Sequence, residues 1–211
     1  IAHTLETFLS HPLVDLVAVA IHADDRELFA LAAGLDAGRI ITVVGGPTRQ
    51  QSVRLGLLAL AEHAPTHVLI HDAVRPFADT DLIARTIATI DQSEGALPAV
   101  PIADTLKREA RDGTVAETVP RAGLYAAQTP QGFPFGPILA AHEKAHEAGR
   151  TDFTDDSAIA EWVRMPVRLV TGSPDNVKLT WARDIAMADQ RLGGARPHFP
   201  DIRTGNGYDV H

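Results

Sequence analysis

Short β-branched apolar runs alternate with stretches of helical spacing along most of this chain, and that alternation limits the folds open to it. Residues 14–21 (VDLVAVAI) form one such run, and DDRELFAL at 24–31 has acids in a first helical turn and helical spacing behind them. Residues 40–44 (IITVV) make a second buried strand closed by Gly45-Gly46, followed by a helix from about Thr48 to His63 with Val53, Leu57 and Leu60 on one face. A third strand at 68–71 runs into Asp72, and a helix capped by Asp79 or Thr80 carries Leu82, Ile83, Ile87 and Ile90 before a strand from Ala96 to Ile102. The pattern predicts an α/β, Rossmann-like domain: a mostly parallel sheet with helices on both faces.

The rhythm breaks between Ala103 and Gly123. There TLKR (105–108) and TVAETV (114–119) flank the turn residues Arg111-Asp112-Gly113, the pattern of a β-hairpin. A lone hairpin has no core of its own, so this arm is expected to need a partner. Beyond it the spacing predicts a strand near 124–128, helices near 135–148 and 155–163, a strand near 167–170 and a helix near 181–192. Residues 193–200 are rich in Gly and Pro and read as a linker.

Bulk composition removes several function classes. With 211 residues, 45% of them apolar, the chain can bury a large core. A net charge of −8 without a Lys/Arg run argues against a nucleic-acid partner. The absence of cysteine excludes disulfides and thiolate chemistry, and apolar runs such as LLALA (57–61) are too short to span a bilayer. A cytoplasmic protein is expected. Both ends read as interrupted: Ile1, Leu5, Phe8 and Leu9 already have amphipathic helical spacing, and GNGYDVH (205–211) reads as an element that has only begun.

In open α/β sheets ligands bind at the carboxyl ends of strands. Three polar clusters fall there: GGPTRQQS (45–52), HDAVRP (71–76) and DNVKLT (175–180), and they are expected to converge on one crevice. Gly45 and Gly46 would let backbone approach a ligand, and the helix opening after Thr48 offers N–H groups to an anion or a base edge. Asp72 suits a hydroxyl or a metal-bound phosphate, or else a loop cap beside Arg75. Lys178 can offer positive charge to a phosphoryl group, or be an ordinary solvated lysine. His142-Glu143-Lys144-Ala145-His146 matches the H-E-x-x-H zinc pattern, but it is expected on an Ala- and charge-rich helix facing solvent and is read as accidental.

The strings GGPTRQQSV, HDAVRP, ADTLKR, TVPRAGLYAAQTPQGF, FTDDSA and DNVKLT, in this order and spacing, resemble the 2-C-methyl-D-erythritol 4-phosphate cytidylyltransferases of the non-mevalonate isoprenoid pathway over residues 1–192. The resemblance implies transfer of CMP from CTP, with Mg²⁺, to the alditol phosphate. It places cytidine against Gly45, Gly46, Ser52, Asp72 and Ala73, puts Lys178 on the phosphates, and sets Asp72 against the methylerythritol hydroxyls. It also assigns Thr105 and Arg121, at the base of the arm, to the substrate phosphate across a homodimer. Two departures matter. The family's opening strand and Gly-rich triphosphate clamp would lie upstream of Ile1, and Pro47 removes one backbone N–H from the glycine loop.

The tail, DIRTGNGYDVH (201–211), resembles the opening strand of 2-C-methyl-D-erythritol 2,4-cyclodiphosphate synthases, which some bacteria fuse to the cytidylyltransferase. That resemblance makes Asp209 and His211 zinc ligands on one face of a strand and allows a higher oligomer through the synthase domain. Two other functions remain open from sequence: a cytidylyltransferase for another alditol phosphate such as ribitol 5-phosphate, and a non-catalytic, dimerising nucleotide-binding module.

Overall fold

The computed structural model describes residues 1–33 and 37–192. They fall into two units, Ile1–Lys178 and the segment from Leu179 onward, of which the second contributes one described helix.

In the first unit, α1 (Ala2–Ser10) leads into β1 (Val17–Ile21), α2 (Arg26–Ala33) and β2 (Ile40–Val44). β1 and β2 pair in parallel, as expected for two strands joined through a helix. Next comes α3 (Arg49–Ala61), whose N-cap is Thr48: the Thr48 side chain accepts from the Gln51 N–H. β3 (His67–Ile70) and α4 (Thr80–Thr89) follow, and Asp79 caps α4 by accepting from Leu82 N–H at 2.6 Å. β4 (Gly95–Pro101) precedes an arm made of β5 (Leu106–Glu109) and β6 (Val115–Val119). Then come β7 (Tyr125–Ala127), β8 (Gln131–Pro134), α5 (Phe135–Glu147), α6 (Asp156–Trp162) and β9 (Val167–Thr171). In the second unit α7 spans Ala182–Leu192, and Asp184 accepts from the N–H groups of Thr180 and Trp181 just ahead of it.

The α/β class holds, but the pairings are mixed rather than mostly parallel. β3 pairs with β8, and β4 with both β7 and β8, all antiparallel; β4 and β9 pair in parallel. Connection length explains the difference. A parallel return needs a crossover of a dozen or more residues, usually a helix. Between β4 and β9 the chain has α5 and α6, whereas between β4 and β7 it has only the arm, so it comes back antiparallel. β8, which the periodicity does not predict, continues β7 along the same side of β4 and inserts between β3 and β4. Its four residues, QGFP, carry no alternation to read.

Both faces of this sheet are covered, and the strands show it by alternation. Val68 and Ile70 of β3 pack into one core with Leu57 of α3, Phe133 of β8, Ile138 of α5 and Ile159 of α6, while Leu69 joins Ile90, Ala96 and Val170 on the opposite face. Phe133 is fully buried, and its ring lies over Gly95, where a Cβ would meet it at 2.6 Å. The arm is different. It forms its own two-stranded sheet, with exposed residues along most of both strands, a turn through Gly113 at φ +82° and a cross-strand Arg108–Glu117 pair at 2.5 Å. An exposed pair of that kind contributes little.

Because Phe133 anchors the strand that joins β3 to β4, Phe133→Ala is expected to destabilise the first unit by about 3–5 kcal/mol. Urea unfolding followed by far-UV circular dichroism measures this, and a loss under about 1 kcal/mol would mean that β8 is not a core strand.

Candidate functional site

Three of the predicted polar clusters meet, and they meet on Asp72. This residue follows β3, its backbone N–H donating to Thr129 Oγ1 at 3.0 Å. Arg49, at the first position of α3, donates Nε to Asp72 Oδ1 at 2.9 Å, and Lys178 donates Nζ to Oδ2 at 3.0 Å. Arg75 Nε stands 4.0 Å from the same oxygen. Burial alone would raise the Asp72 carboxyl, but the hydrogen bond from Lys178 and the charge of Arg49 outweigh it and hold the group below the usual carboxylate range. The Lys178 side chain is 43% exposed, so it can leave Asp72 without unpacking anything.

Arg49 has a second carboxylate. Its Nη2 lies 2.8 Å from Asp156 Oδ2, although that oxygen has no well-aligned hydrogen bond. Asp156 is fully buried at the start of α6 and accepts from His142 Nε2 at 3.1 Å through Oδ1. Burial would lower Arg49, but the charges of Asp156 and Asp72 more than offset it, so the guanidinium stays above its ordinary value. His142 is therefore buried rather than solvent-facing, which corrects the expectation for the H-E-x-x-H stretch. Glu143 is paired with Arg54 at 2.6 Å, and only His146 of the two histidines is exposed. Helix periodicity puts His142 on the same face as the buried residues Ile138, Ala141 and Ala145.

The glycine loop is built around α3. A Cβ on Gly46 would strike Gln51 Cβ at 2.6 Å, and one on Gly45 would meet Ser52 Oγ at 3.0 Å. Ser52 Oγ accepts from Gly46 N–H at 3.1 Å and donates to Thr48 O at 3.0 Å. These glycines allow loop and helix to approach each other, a requirement that the sequence reading assigned to a ligand. The Ala73 carbonyl accepts from Thr4 Oγ1 of α1 at 3.1 Å. A cavity of about 520 Å³ is lined by Arg49, Ser52, Asp72 and Ala73 together with residues 17–20 of β1 and all of β3.

Thr105 and Arg121 stand exposed on either side of the arm's base, where Arg121 Nη1 donates to the Ala103 carbonyl. Among the described residues, no hydrogen bond or ion pair joins either of them to the Asp72 cluster. Asp209 and His211 lie outside the described residues. Sequence reasoning took His142 for a solvent-facing residue and missed Arg49 and Asp156, as well as Thr129 and Asn176, which brace the loops: Asn176 is fully buried and donates Nδ2 to Thr129 O at 2.8 Å, while Arg75 Nη1 donates to Asn176 O at 2.7 Å. Arg49, Asp156 and Asn176 all sit inside strings that the resemblance uses, so their place was visible but not their role.

This fold and rim of strand ends define the class: solved structures that share them are nucleotidyltransferases. A 4-diphosphocytidyl-2C-methyl-D-erythritol synthase from Anaerococcus prevotii matches at a TM-score of 0.81 and 33% identity, covering 91% of this chain and 85% of that one. A 2-C-methyl-D-erythritol 4-phosphate cytidylyltransferase from Thermus thermophilus matches at 0.72 and 30%, covering 90% and 87%. The family model for 2-C-methyl-D-erythritol 4-phosphate cytidylyltransferase matches residues 1–193, and the chain belongs to that family. Among curated relatives, a protein of Mesorhizobium japonicum named bifunctional enzyme IspD/IspF is 74% identical over 211 residues, and one of Brucella anthropi with the same name is 57% identical. In both cases all of this chain matches 52% of the relative, so the chain spans about half the length of the curated relatives it matches.

His71 makes the site's foundation sensitive to pH. Burial first of all pushes its imidazole down to about 4, and the neutral ring fits its surroundings: Nε2 donates to Arg75 O at 3.0 Å, and Nδ1 accepts from the Thr129 hydroxyl at 3.1 Å. Below about 6.5 the unfolded chain takes up a proton that the folded chain refuses until about 4, so this contribution is complete above 6.5 and lost as pH falls through that window. The loss should approach ~3 kcal/mol. Urea unfolding at pH 7 and pH 4.5 is expected to show a smaller drop for His71→Asn than for the parent sequence; equal drops would show that His71 is not held neutral.

Proposed function

We propose that the longer protein carrying this chain transfers CMP from CTP to 2-C-methyl-D-erythritol 4-phosphate, releasing pyrophosphate, in the non-mevalonate route to isoprenoid precursors in the cytoplasm. The observation that carries this reading is the Asp72–Lys178 pair, which brings the HDAVRP and DNVKLT strings together at a residue that lines a cavity, in a chain of this family.

The chemistry needs little from the protein beyond positioning and charge. A phosphate oxygen of the alditol phosphate attacks the α-phosphorus of CTP in line, the bond to the bridging oxygen breaks, and pyrophosphate leaves. The nucleophile is already an anion, so no general base is required. Lys178, released from Asp72, would neutralise charge on the phosphoryl group, and the freed Oδ2 of Asp72 would accept from the alditol hydroxyls while Arg49 keeps hold of Oδ1. Ser52 and Ala73 line the cavity and would flank the nucleoside, with Gly45 and Gly46 in the loop behind them.

Mg²⁺, when bound, would supply neutralisation of the phosphates' negative charge. Among the described residues no three His, Asp or Glu side chains form a metal-holding group, and both oxygens of Asp72 already face cations, so the residues fit an ion carried chiefly by the nucleotide's own phosphates. Thr105 and Arg121 would hold the substrate phosphate of a second subunit, with the exposed arm ordered by the exchange that forms a homodimer. In the same reading residues 193–200 link to a cyclodiphosphate synthase domain, in which Asp209 and His211 ligate zinc and through which higher oligomers form. No helix of the described residues is long and apolar enough to cross a membrane.

In the full-length protein, Lys178→Ala is expected to lower turnover roughly 10²- to 10³-fold, the loss that follows removal of one preorganised charge-stabilising donor. Steady-state pyrophosphate release measures it, and near-normal turnover would remove Lys178 from the mechanism. For the shared site, mixing Arg121→Ala and Lys178→Ala proteins under subunit exchange should restore up to about a quarter of the activity, since half the dimers are mixed and each has one intact site. No recovery would contradict a site built from two subunits.

A further inference from the structure

We propose that Arg49 and Asp156 are positioning residues that fix the Asp72 carboxylate for the alditol substrate, with His142 as their buried anchor. The inference rests on the reading of Asp72 as the group that meets the substrate hydroxyls. Its basis is a chain of polar contacts through five segments, the loops after β9 and β3 and the helices α3, α6 and α5: Lys178 Nζ to Asp72 Oδ2, Asp72 Oδ1 to Arg49 Nε, Arg49 Nη2 to Asp156 Oδ2, and Asp156 Oδ1 to His142 Nε2.

Each link has a different freedom. Asp156 and His142 are both fully shielded from solvent, so this end of the chain cannot relax into water. Arg49 is planar and turns a different nitrogen to each carboxylate, Nε to Asp72 and Nη2 to Asp156, so the orientation of Asp156 is transmitted to Asp72 through a rigid group. Lys178 is flexible and exposed, and it is the link that substrate can displace. When Lys178 turns to a phosphate, the hold of Arg49 on Oδ1 leaves Oδ2 pointing in a defined direction rather than free to rotate. Arg49 is held by two carboxylates, whereas Lys178 hydrogen-bonds to Asp72 alone and is the more exposed of the two, which separates their roles.

Asparagine at position 156 would keep the shape and break the arrangement. An amide has one acceptor oxygen, while His142 Nε2 donates to Oδ1 and the Arg49 guanidinium is ion-paired with Oδ2, so one of them must face the amide NH₂. In the full-length protein, Asp156→Asn is expected to reduce kcat/KM for the alditol phosphate about 10- to 100-fold, the scale of loss from misplacing a positioned group. The KM for CTP should change less than about threefold, a split that general damage to the fold would not produce. Because Asp156 is buried, Arg49→Ala provides a second route. Its site is partly open to solvent, and millimolar guanidinium should restore activity to Arg49→Ala while equal ammonium does not, because only the planar ion spans two carboxylates.

Asp72→Asn in the same assay separates the two levels of the argument. If it leaves the alditol phosphate KM and kcat unchanged, the reading of Asp72 fails and the inference falls with it. If Asp72→Asn is impaired but folded Asp156→Asn is not, or if guanidinium gives Arg49→Ala no recovery, the positioning role is wrong. Should Asp156→Asn fail to fold, the guanidinium experiment alone decides.

Discussion

A single carboxylate holds this site together. Asp72 receives Arg49 from the start of α3 and Lys178 from the loop after β9, and the Arg75–Asn176 and Asn176–Thr129 hydrogen bonds brace the loops around it. Taking charges out of water is costly, and such a pair stays only when both members are bonded; removal of one partner of a buried pair typically costs 3–5 kcal/mol. The more deeply buried Asp156 and the half-buried Arg49 share that constraint. A loop at a sheet edge would ordinarily be mobile on its own, but here the electrostatic requirement of Asp72 ties three loops to one geometry before any ligand arrives.

The fold serves that arrangement through its turns of direction. Strand β4 runs parallel to β9 because two helices separate them, and antiparallel to β7 and β8 because only a hairpin arm does. The antiparallel return places Thr129 beside His71 and Asp72, so the loop that breaks β7 from β8 becomes the floor beneath the carboxylate. A wholly parallel sheet would have used that length of chain for a crossover helix and left Asp72 without its backbone partner.

Much of this was legible in the sequence, for physical reasons that differ by element. Strands β1 to β4 and helices α3 and α4 announce themselves because β-branched runs, caps at Thr48 and Asp79 and helical periodicity all agree. The arm was readable from its turn chemistry, and its exposed faces follow from having no core. β8 was not readable: four residues with Gly and Pro among them carry no period, and only tertiary pairing with β3 makes them a strand. At the site, Asp72 and Lys178 stood out as polar residues at strand ends. Arg49 and Asp156 did not, and His142 was read as solvent-facing, because nothing local distinguishes a polar residue that will be buried from one that will be solvated; their partners are far away in sequence. Gly45 and Gly46 were expected to let backbone approach a ligand; in the structure a Cβ at either would crowd Ser52 or Gln51, a packing need that lies within the loop itself.

The central claim is that this rim handles CTP and a branched alditol phosphate, and it can be tested on the unaltered full-length protein. Pyrophosphate release should be measured with CTP and, in parallel, 2-C-methyl-D-erythritol 4-phosphate and ribitol 5-phosphate, with kcat/KM determined for each. The account predicts efficient release with the methylerythritol substrate and a markedly lower kcat/KM with ribitol 5-phosphate. A preference for ribitol 5-phosphate, or nucleotide binding with no pyrophosphate released from either, would contradict it.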